Sequence, residues 1–447
     1  MPPEPVRRGK PQVSGAGTTR HRFAILALLL FVFTFMLQSN EVAATTGLLN
    51  QVGSGQLLWV WAGGMASVML TATLYALIVD RYQRVQLVGW AALVGAAAYL
   101  LVWCLFALAL PLVLVYLAYY CVIVQHMAVL PLAIWTLGTD AFAVGEARRF
   151  FPWLVIMSLG GGLAGNAAAA LLALVGLPGP QPTLLLNVGL GLALGLALPL
   201  LVRGTAIRSR QDRSTGSPWQ TLQVGLVFLR QVPAFRYLSL IVVAISAGYT
   251  TIEYVFLSDL RAAFPSVEAL QSFYGLFKVA TLLAILLLQL FATPYLSRLE
   301  FKQVFAVMPS TLLLVLLLAL LLPGLAVVVA GNFLARVVLQ RVELPARKSF
   351  QALVPDERRG RVGAFLDGVL YPGGAMLGMA LIGAMLGLGA AGLLAEARRW
   401  YLSAVLLLLG GALWAAIRFR QTYETGLLDW RLQRKRQRHD LLQKLDF

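Results

Sequence analysis

The sequence predicts an all-α polytopic membrane protein, with twelve transmembrane helices in two pseudo-equivalent six-helix bundles. Three observations carry this. The 447 residues are 59% hydrophobic and only 12% charged, with a mean hydropathy of +0.79, where a soluble domain carries about 25% charge. Apolar runs repeatedly approach about 20 residues, the length that crosses a bilayer. The basic residues fall almost entirely on alternate loops, which gives the chain its formal charge of +17.

Spans are expected at 22–40, 56–79, 85–108, 112–137, 150–176, 183–203, 234–258, 268–295, 303–322, 324–344, 361–389 and 399–418. Long apolar runs in lipid read as helices, because a helix satisfies its own backbone. The first run begins behind a polar tail, lacks an AxA-like cleavage signal and reads as a membrane helix. Leu110-Pro111 and Pro323-Gly324 mark short turns. The stretch GTAIRSRQDRSTGSPW, 204–219, is a linker by composition, and Gln220 to Arg236 reads as an amphipathic interfacial helix. The expected organisation is a tail at 1–21, a six-helix bundle at 22–203, a basic linker at 204–233, a second bundle at 234–418 and a basic tail at 419–447.

With the N-terminus in the cytoplasm, one face receives Arg7, Arg8, Lys10, Arg20, Arg22, Arg81, Arg84, Arg148, Arg149, the basic linker, Arg298, Lys302, the 341–361 cluster and the C-terminal tail. The other receives only Arg261, Arg398 and Arg399. This asymmetry obeys the positive-inside rule and places both termini in the cytoplasm of a plasma membrane, with a bacterial inner membrane the expected location. The tail RLQRKRQRHD reads as an anchor to anionic lipid headgroups rather than a nucleic-acid binder. Cys104 and Cys121 read as core residues, three histidines make no cluster, and no metal or cofactor site is expected. No Walker loop or Ser-His-Asp set points to an enzyme.

Two stretches match at an offset of 213. GEARRFFPWLVIMSLGGGLAG begins at Gly145 and DERRGRVGAFLDGVLYPGGAMLG at Asp356, so Arg148 falls on Arg361, Gly161 on Gly374 and Gly165 on Gly378. Both open helices on the cytoplasmic side. The glycines give smooth faces that let backbones approach, either as static packing or as a sliding contact. Arg148, Arg149 and Arg361 sit at helix starts, where the dipole favours acids. Asp140, Glu146, Asp356 and Glu357 are near enough to latch them, or all are topology charges.

Charges inside spans are costly and mark candidate function. They are Glu41, Glu253, Lys278, Arg336, Glu343 and Asp367. Glu253 and Lys278 are the leading pair, placed to meet or to flank one cavity. They bind substrate or a coupling ion, or form a structural salt bridge. Arg336 and Glu343 lie about two turns apart on one face. Around Glu41, Gln38, Ser39, Asn40, Thr45 and Thr46 form a polar patch on the path between bundles. Tyr249, Tyr254, Phe273, Tyr274 and Phe277 add aromatic surface near the leading pair. Gln125, His126 and Trp135 are polar groups within helix four, and Asn166 and Asn332 are placed for interhelical hydrogen bonds.

As a whole the chain resembles the major facilitator superfamily, although VDRYQRVQLVG, 79–89, lacks the glycine-rich start of that family's loop. A narrower resemblance is to the nucleotide-translocase-like branch, the ATP/ADP exchangers and their bacterial relatives. It is carried by Trp135, Asp140, Phe142, Glu146, Arg148, Arg149, Phe151, Pro152, Gly160 and Gly161, and by Ala352–Gly374. The resemblance implies a secondary transporter working by alternating access, monomeric, moving a small solute such as a nucleotide or another organic anion, with or without a coupling ion. The alternative is a non-transporting scaffold or sensor whose basic segments bind a protein.

Overall fold

The computed structural model describes residues 16–78, 84–108, 110–142, 144–202, 232–291, 301–351, 362–363 and 365–443. Twelve long helices make up the described chain, and among the described residues there is no strand. The first six are α1 (Ala16–Gln51), α2 (Leu57–Ile78), α3 (Arg84–Ala107), α4 (Leu112–Ala141), α5 (Val144–Leu174) and α6 (Pro180–Leu201). The second six are α7 (Pro233–Ala263), α8 (Val267–Phe291), α9 (Phe301–Leu321), α10 (Leu325–Val338, continued through Leu339–Glu343 and Leu344–Gln351), α11 (Leu366–Leu370 and Tyr371–Ala390) and α12 (Ala397–Gln443). Eleven described helices are long and apolar enough to cross a membrane. The twelfth, α2, carries no charged residue over its 22 positions.

Turns α1–α2, α3–α4, α5–α6, α7–α8, α9–α10 and α11–α12 share one side, here the far face. The expected turns are present. Pro111 ends its approach extended at φ −55°, ψ 121° before α4, and Gly324 precedes α10. Exposed Trp59 and Trp400 lie near the far face, and Trp90, Trp153 and Trp414 toward the other side. This is the paired aromatic belt of a spanning protein.

Several boundaries differ from the sequence reading, and three of them bear on the organisation. Helix α1 runs eleven residues past the expected end at 40, because the polar groups of Asn40, Thr45 and Thr46 find partners inside the fold. Helix α12 continues to Gln443, so most of the expected tail is helix. Helix α7 begins at Pro233, which puts Arg236 inside it rather than on a separate interfacial helix. Most of the 204–233 linker lies outside the described residues.

Two π-turns interrupt the second half, at Leu339–Glu343 in α10 and Leu366–Leu370 in α11. A proline follows each closely, Pro345 and Pro372. Proline donates no N–H and its ring crowds the carbonyl four residues back. The preceding residue then bonds one step further back, Leu344 N–H to Leu339 O and Tyr371 N–H to Leu366 O, and the turn widens.

Packing repeats between the halves: α1 lies on α5 as α7 lies on α11, and α3 lies on α6 as α9 lies on α12. The glycines set the first of these contacts. A Cβ on Gly161 would strike Phe31 O and Thr34, and one on Gly165 would strike the Phe35 backbone. A Cβ on Gly374 would lie 2.8 Å from Val243 Cα, and one on Gly378 2.8 Å from Ala247 O. A hydroxyl repeats too: Thr34 Oγ1 donates to Ser158 O on α5 at 2.8 Å, and Ser246 Oγ to Tyr371 O on α11 at 2.6 Å. The matched glycines therefore weld helices within each half. In this conformation the four glycines serve close backbone packing. Contact between the halves runs through α5–α8, α2–α11 and α1–α8.

Candidate functional site

Four charges, Glu253 and Lys278 buried and Glu41 and Arg336 partly buried, gather where α1, α7, α8 and α10 approach one another. Lys278 Nζ on α8 meets Glu41 Oε2 on α1 at 2.6 Å, joining the halves. Arg336 on α10 pairs with Glu253 on α7 within the second half. Asn332 completes the second pair, because its Nδ2 donates to Glu253 Oε2 at 3.0 Å and its Oδ1 accepts from Arg336 Nε at 2.7 Å. Asn332 and Arg336 are one helical turn apart, so both reach Glu253 from one face of α10.

Tyr274 stands between the pairs. Its hydroxyl accepts a long bond from Arg336, 3.4 Å, and its ring lies 5.7 Å from Lys278 Nζ. The Phe277 ring lies 5.9 Å from the Arg336 guanidinium. Around Glu41, Gln38 donates to the carboxylate at 3.4 Å and accepts from Asn166 Nδ2 of α5 at 3.2 Å. Side-chain exposure is uneven: Lys278 4%, Glu253 11%, Arg336 13% and Glu41 31%.

Of the two expectations for Glu253 and Lys278, direct contact is not what the structure shows. Each finds a different counter-ion, although both belong to the same Coulombic cluster. The polar patch is also re-sorted. Ser39 bonds Asn187 of α6, Asn40 accepts from Tyr119 of α4, and Thr45 pairs with Tyr120 of α4. Successive residues turn by about 100° on a helix, so only Gln38 and Glu41 face the second half. Tyr254 packs on Tyr401, and Phe273 stacks on Phe264. Both are core contacts away from the charges. His126 is held between Tyr99 OH, 2.9 Å, and Phe33 O, 3.0 Å, a satisfied interior histidine.

Glu343 does not share a cluster with Arg336, because the π-turn rotates the helix between them. Glu343 pairs with Arg347 at 3.1 Å, and Arg347 reaches Asp367 at 3.1 Å. Lys348 also pairs with Asp367, and the Arg347 guanidinium lies 5.0 Å from the Tyr371 ring. Asp367 therefore ties α11 to α10 outside the central quartet. Sequence reading missed Arg347, whose only signal was its spacing of four from Glu343.

Of the proposed cytoplasmic latch, Glu146 accepts from Thr19 of α1 at 3.2 Å, and Arg149 lies 5.7 Å from the Phe150 ring. Arg361, Asp356 and Glu357 lie outside the described residues, as do the side chains of Asp140 and Arg148.

At the far face, polar bonds join the halves. Gln271 of α8 is fully buried; it donates to Ala169 O and accepts from Gly179 N–H, both at 2.8 Å. Gly179 holds φ 94°, a left-handed conformation suited to glycine, and this aims its N–H at Gln271. Arg261 Nε donates to Leu49 O at 3.1 Å, and Asn50 donates to Pro265 O at 3.0 Å. A Cβ on Gly275 would touch Ala170 at 2.9 Å. The halves are thus closed together on that side.

Solved structures share this fold. The nucleoside transporter NupG is 14% identical and aligns over 90% of this chain and 99% of its own, with a TM-score of 0.62. A POT family transporter in complex with 5-aminolevulinic acid is 11% identical over 89% and 96%, at 0.62. A bacterial homolog of the human lysosomal transporter Spinster, inward-facing and unoccupied, is 15% identical over 92% and 99%, at 0.59. The fold is of the major facilitator type. Comparison with known protein families finds no match, and neither does comparison with curated proteins. Within the major facilitator fold the quartet lies at the meeting of the two halves, and Gln271 lies two turns above Lys278 on the same helix.

Proposed function

We propose that the protein is a secondary transporter that moves a small charged solute across the membrane by alternating access. The observation that carries this is the Glu41–Lys278 ion pair: a buried lysine and a partly open carboxylate span the seam between two halves, where a membrane protein keeps charge only at a cost. The far-face bonds of Gln271, Arg261 and Asn50 support a state closed on that side. The basic-loop asymmetry supports the far face as the outside and the termini as cytoplasmic. The matched packing of α1–α5 and α7–α11 supports domains at 22–203 and 234–418 that rock as units. A bacterial inner membrane is the proposed setting. Nucleotides and other organic anions belong in the first screen because of the Trp135–Gly165 resemblance.

The test is saturable uptake or exchange in proteoliposomes, with properly folded Glu253→Gln and Lys278→Met variants alongside. Activity is expected to fall in both. Full activity in both removes the quartet as the site. A folded wild-type protein that moves nothing across a broad solute screen removes transport.

A further inference from the structure

Charge balance at the seam narrows what the site accepts. The quartet is neutral as a set, with two carboxylates, one ammonium and one guanidinium. Glu253 and Arg336 are each held by Asn332 as well as by one another, so this pair is braced. Glu41 and Lys278 have weaker support. Glu41 has only the long Gln38 bond besides the lysine. Lys278 Nζ makes an ion pair but no well-aligned hydrogen bond, and is itself 4% exposed. Nearly a third of the Glu41 side chain is open.

A ligand entering here meets the Glu41 carboxylate first and competes with Lys278 for it. If the ligand brings only a cation, Lys278 is left buried and uncompensated. If it brings only an anion for Lys278, Glu41 loses its counter-ion. Leaving Lys278 buried without a counter-ion is strongly unfavourable, and leaving the partly open Glu41 without one is a smaller loss. A ligand with both charges avoids either loss, and because Lys278 and Glu41 start in direct contact at 2.6 Å, a ligand whose two charges lie close together needs the least parting of the pair.

We propose that the Glu41–Lys278 pair opens to bind a zwitterion whose ammonium and carboxylate sit side by side, as in an α-amino acid head group. The ammonium replaces Lys278 at Glu41, and the carboxylate replaces Glu41 at Lys278. The inference rests on the transport reading of this site and narrows it from organic anions in general.

Three related probes test it on the purified full chain: L-norvaline, pentanoate, which lacks the ammonium, and n-butylamine, which lacks the carboxylate and its carbon. Affinities are measured by calorimetry and by ligand-induced thermal shift. Norvaline is expected to bind at least about tenfold more tightly than either fragment. Glu41→Gln shifts the preference to pentanoate, and Lys278→Met shifts it to butylamine. The exchanged pair, Glu41→Lys with Lys278→Glu, retains norvaline binding and guards against loss through misfolding. Equal binding of a fragment and norvaline by the wild type overturns the proposal. So does absence of binding by glycine, L-norvaline, L-phenylalanine and L-aspartate up to about 10 mM. Uptake of an uncharged or purely anionic solute overturns this inference and leaves transport standing. Norvaline that binds but never crosses a proteoliposome membrane overturns transport and leaves the binding site standing.

Discussion

Glu41 and Glu253 occupy equivalent positions on α1 and α7, yet they choose counter-ions differently. Glu253 pairs inside its own half with Arg336, whereas Glu41 pairs across the seam with Lys278. The equivalence is anchored by neighbours: Thr34 and Ser246 sit seven residues before the two glutamates, and each bonds a carbonyl of the matched helix. One copy of the repeat stabilises its half, and the other ties the halves together.

The two pairs should differ in their contribution to stability. Arg336→Met strands Glu253 in a nearly closed site and is expected to cost about 3–5 kcal/mol. Lys278→Met leaves Glu41 with open space beside it, and about 1–2 kcal/mol is expected after discounting for screening. Chemical or thermal unfolding in detergent measures the order. A larger loss for Lys278→Met contradicts the described geometry.

The glycines make a sharper contrast. Gly161→Ala, Gly165→Ala, Gly374→Ala and Gly378→Ala each force a methyl into a neighbouring backbone, and about 1–3 kcal/mol of destabilisation is expected. At Gly373 a Cβ meets nothing within 4 Å. Gly373→Ala should be neutral or add up to about 1 kcal/mol through helix propensity. Melting temperatures of the five variants decide it.

Gln271 should govern far-face closure. Gln271→Ala leaves Ala169 O and Gly179 N–H without their partner, which costs the closed state about 1–3 kcal/mol. Spin labels at Gln56 and Glu268, in a background without Cys104 and Cys121, report the far-face separation. The longer-distance population should rise at least about fivefold over the parent. An unchanged distribution refutes the latch.

Arg347 predicts a third behaviour. It is buried between Glu343 and Asp367, so Arg347→Met leaves Glu343 buried without a cation, while Asp367 keeps Lys348. A loss of about 3 kcal/mol or more is expected, and Glu343→Gln in the same chain should recover part of it. A double-mutant cycle that shows additive losses separates the two residues.

Much of the fold was legible because bilayer length and loop charge act on the sequence directly. Turns at Pro111 and Gly324 follow from local chemistry, and so do the glycine faces at Gly161 and Gly374. What they touch was not legible, since a smooth face suits static and sliding contacts alike. The membrane charges were found by their cost, but their pairing was not: Lys278 reaches Glu41 only through the docking of two halves far apart in sequence. Arg336 and Glu343 were expected on one face of their helix, and regular α-helical periodicity ignores the π-turn before Pro345. Arg347 escaped notice for a different reason, lying beyond the expected end of its span although its side chain is buried.

The seam-crossing pair also imposes an order on biogenesis. Glu41 is made about 240 residues before Lys278, an interval of roughly 10–50 s at ordinary rates of synthesis. During that time the newly inserted first helix has no lysine to answer its carboxylate. The nascent first half must therefore hold that group neutral, hydrated or shielded until the eighth helix arrives, and a ribosome stalled between the halves exposes the chain at that moment to membrane quality control.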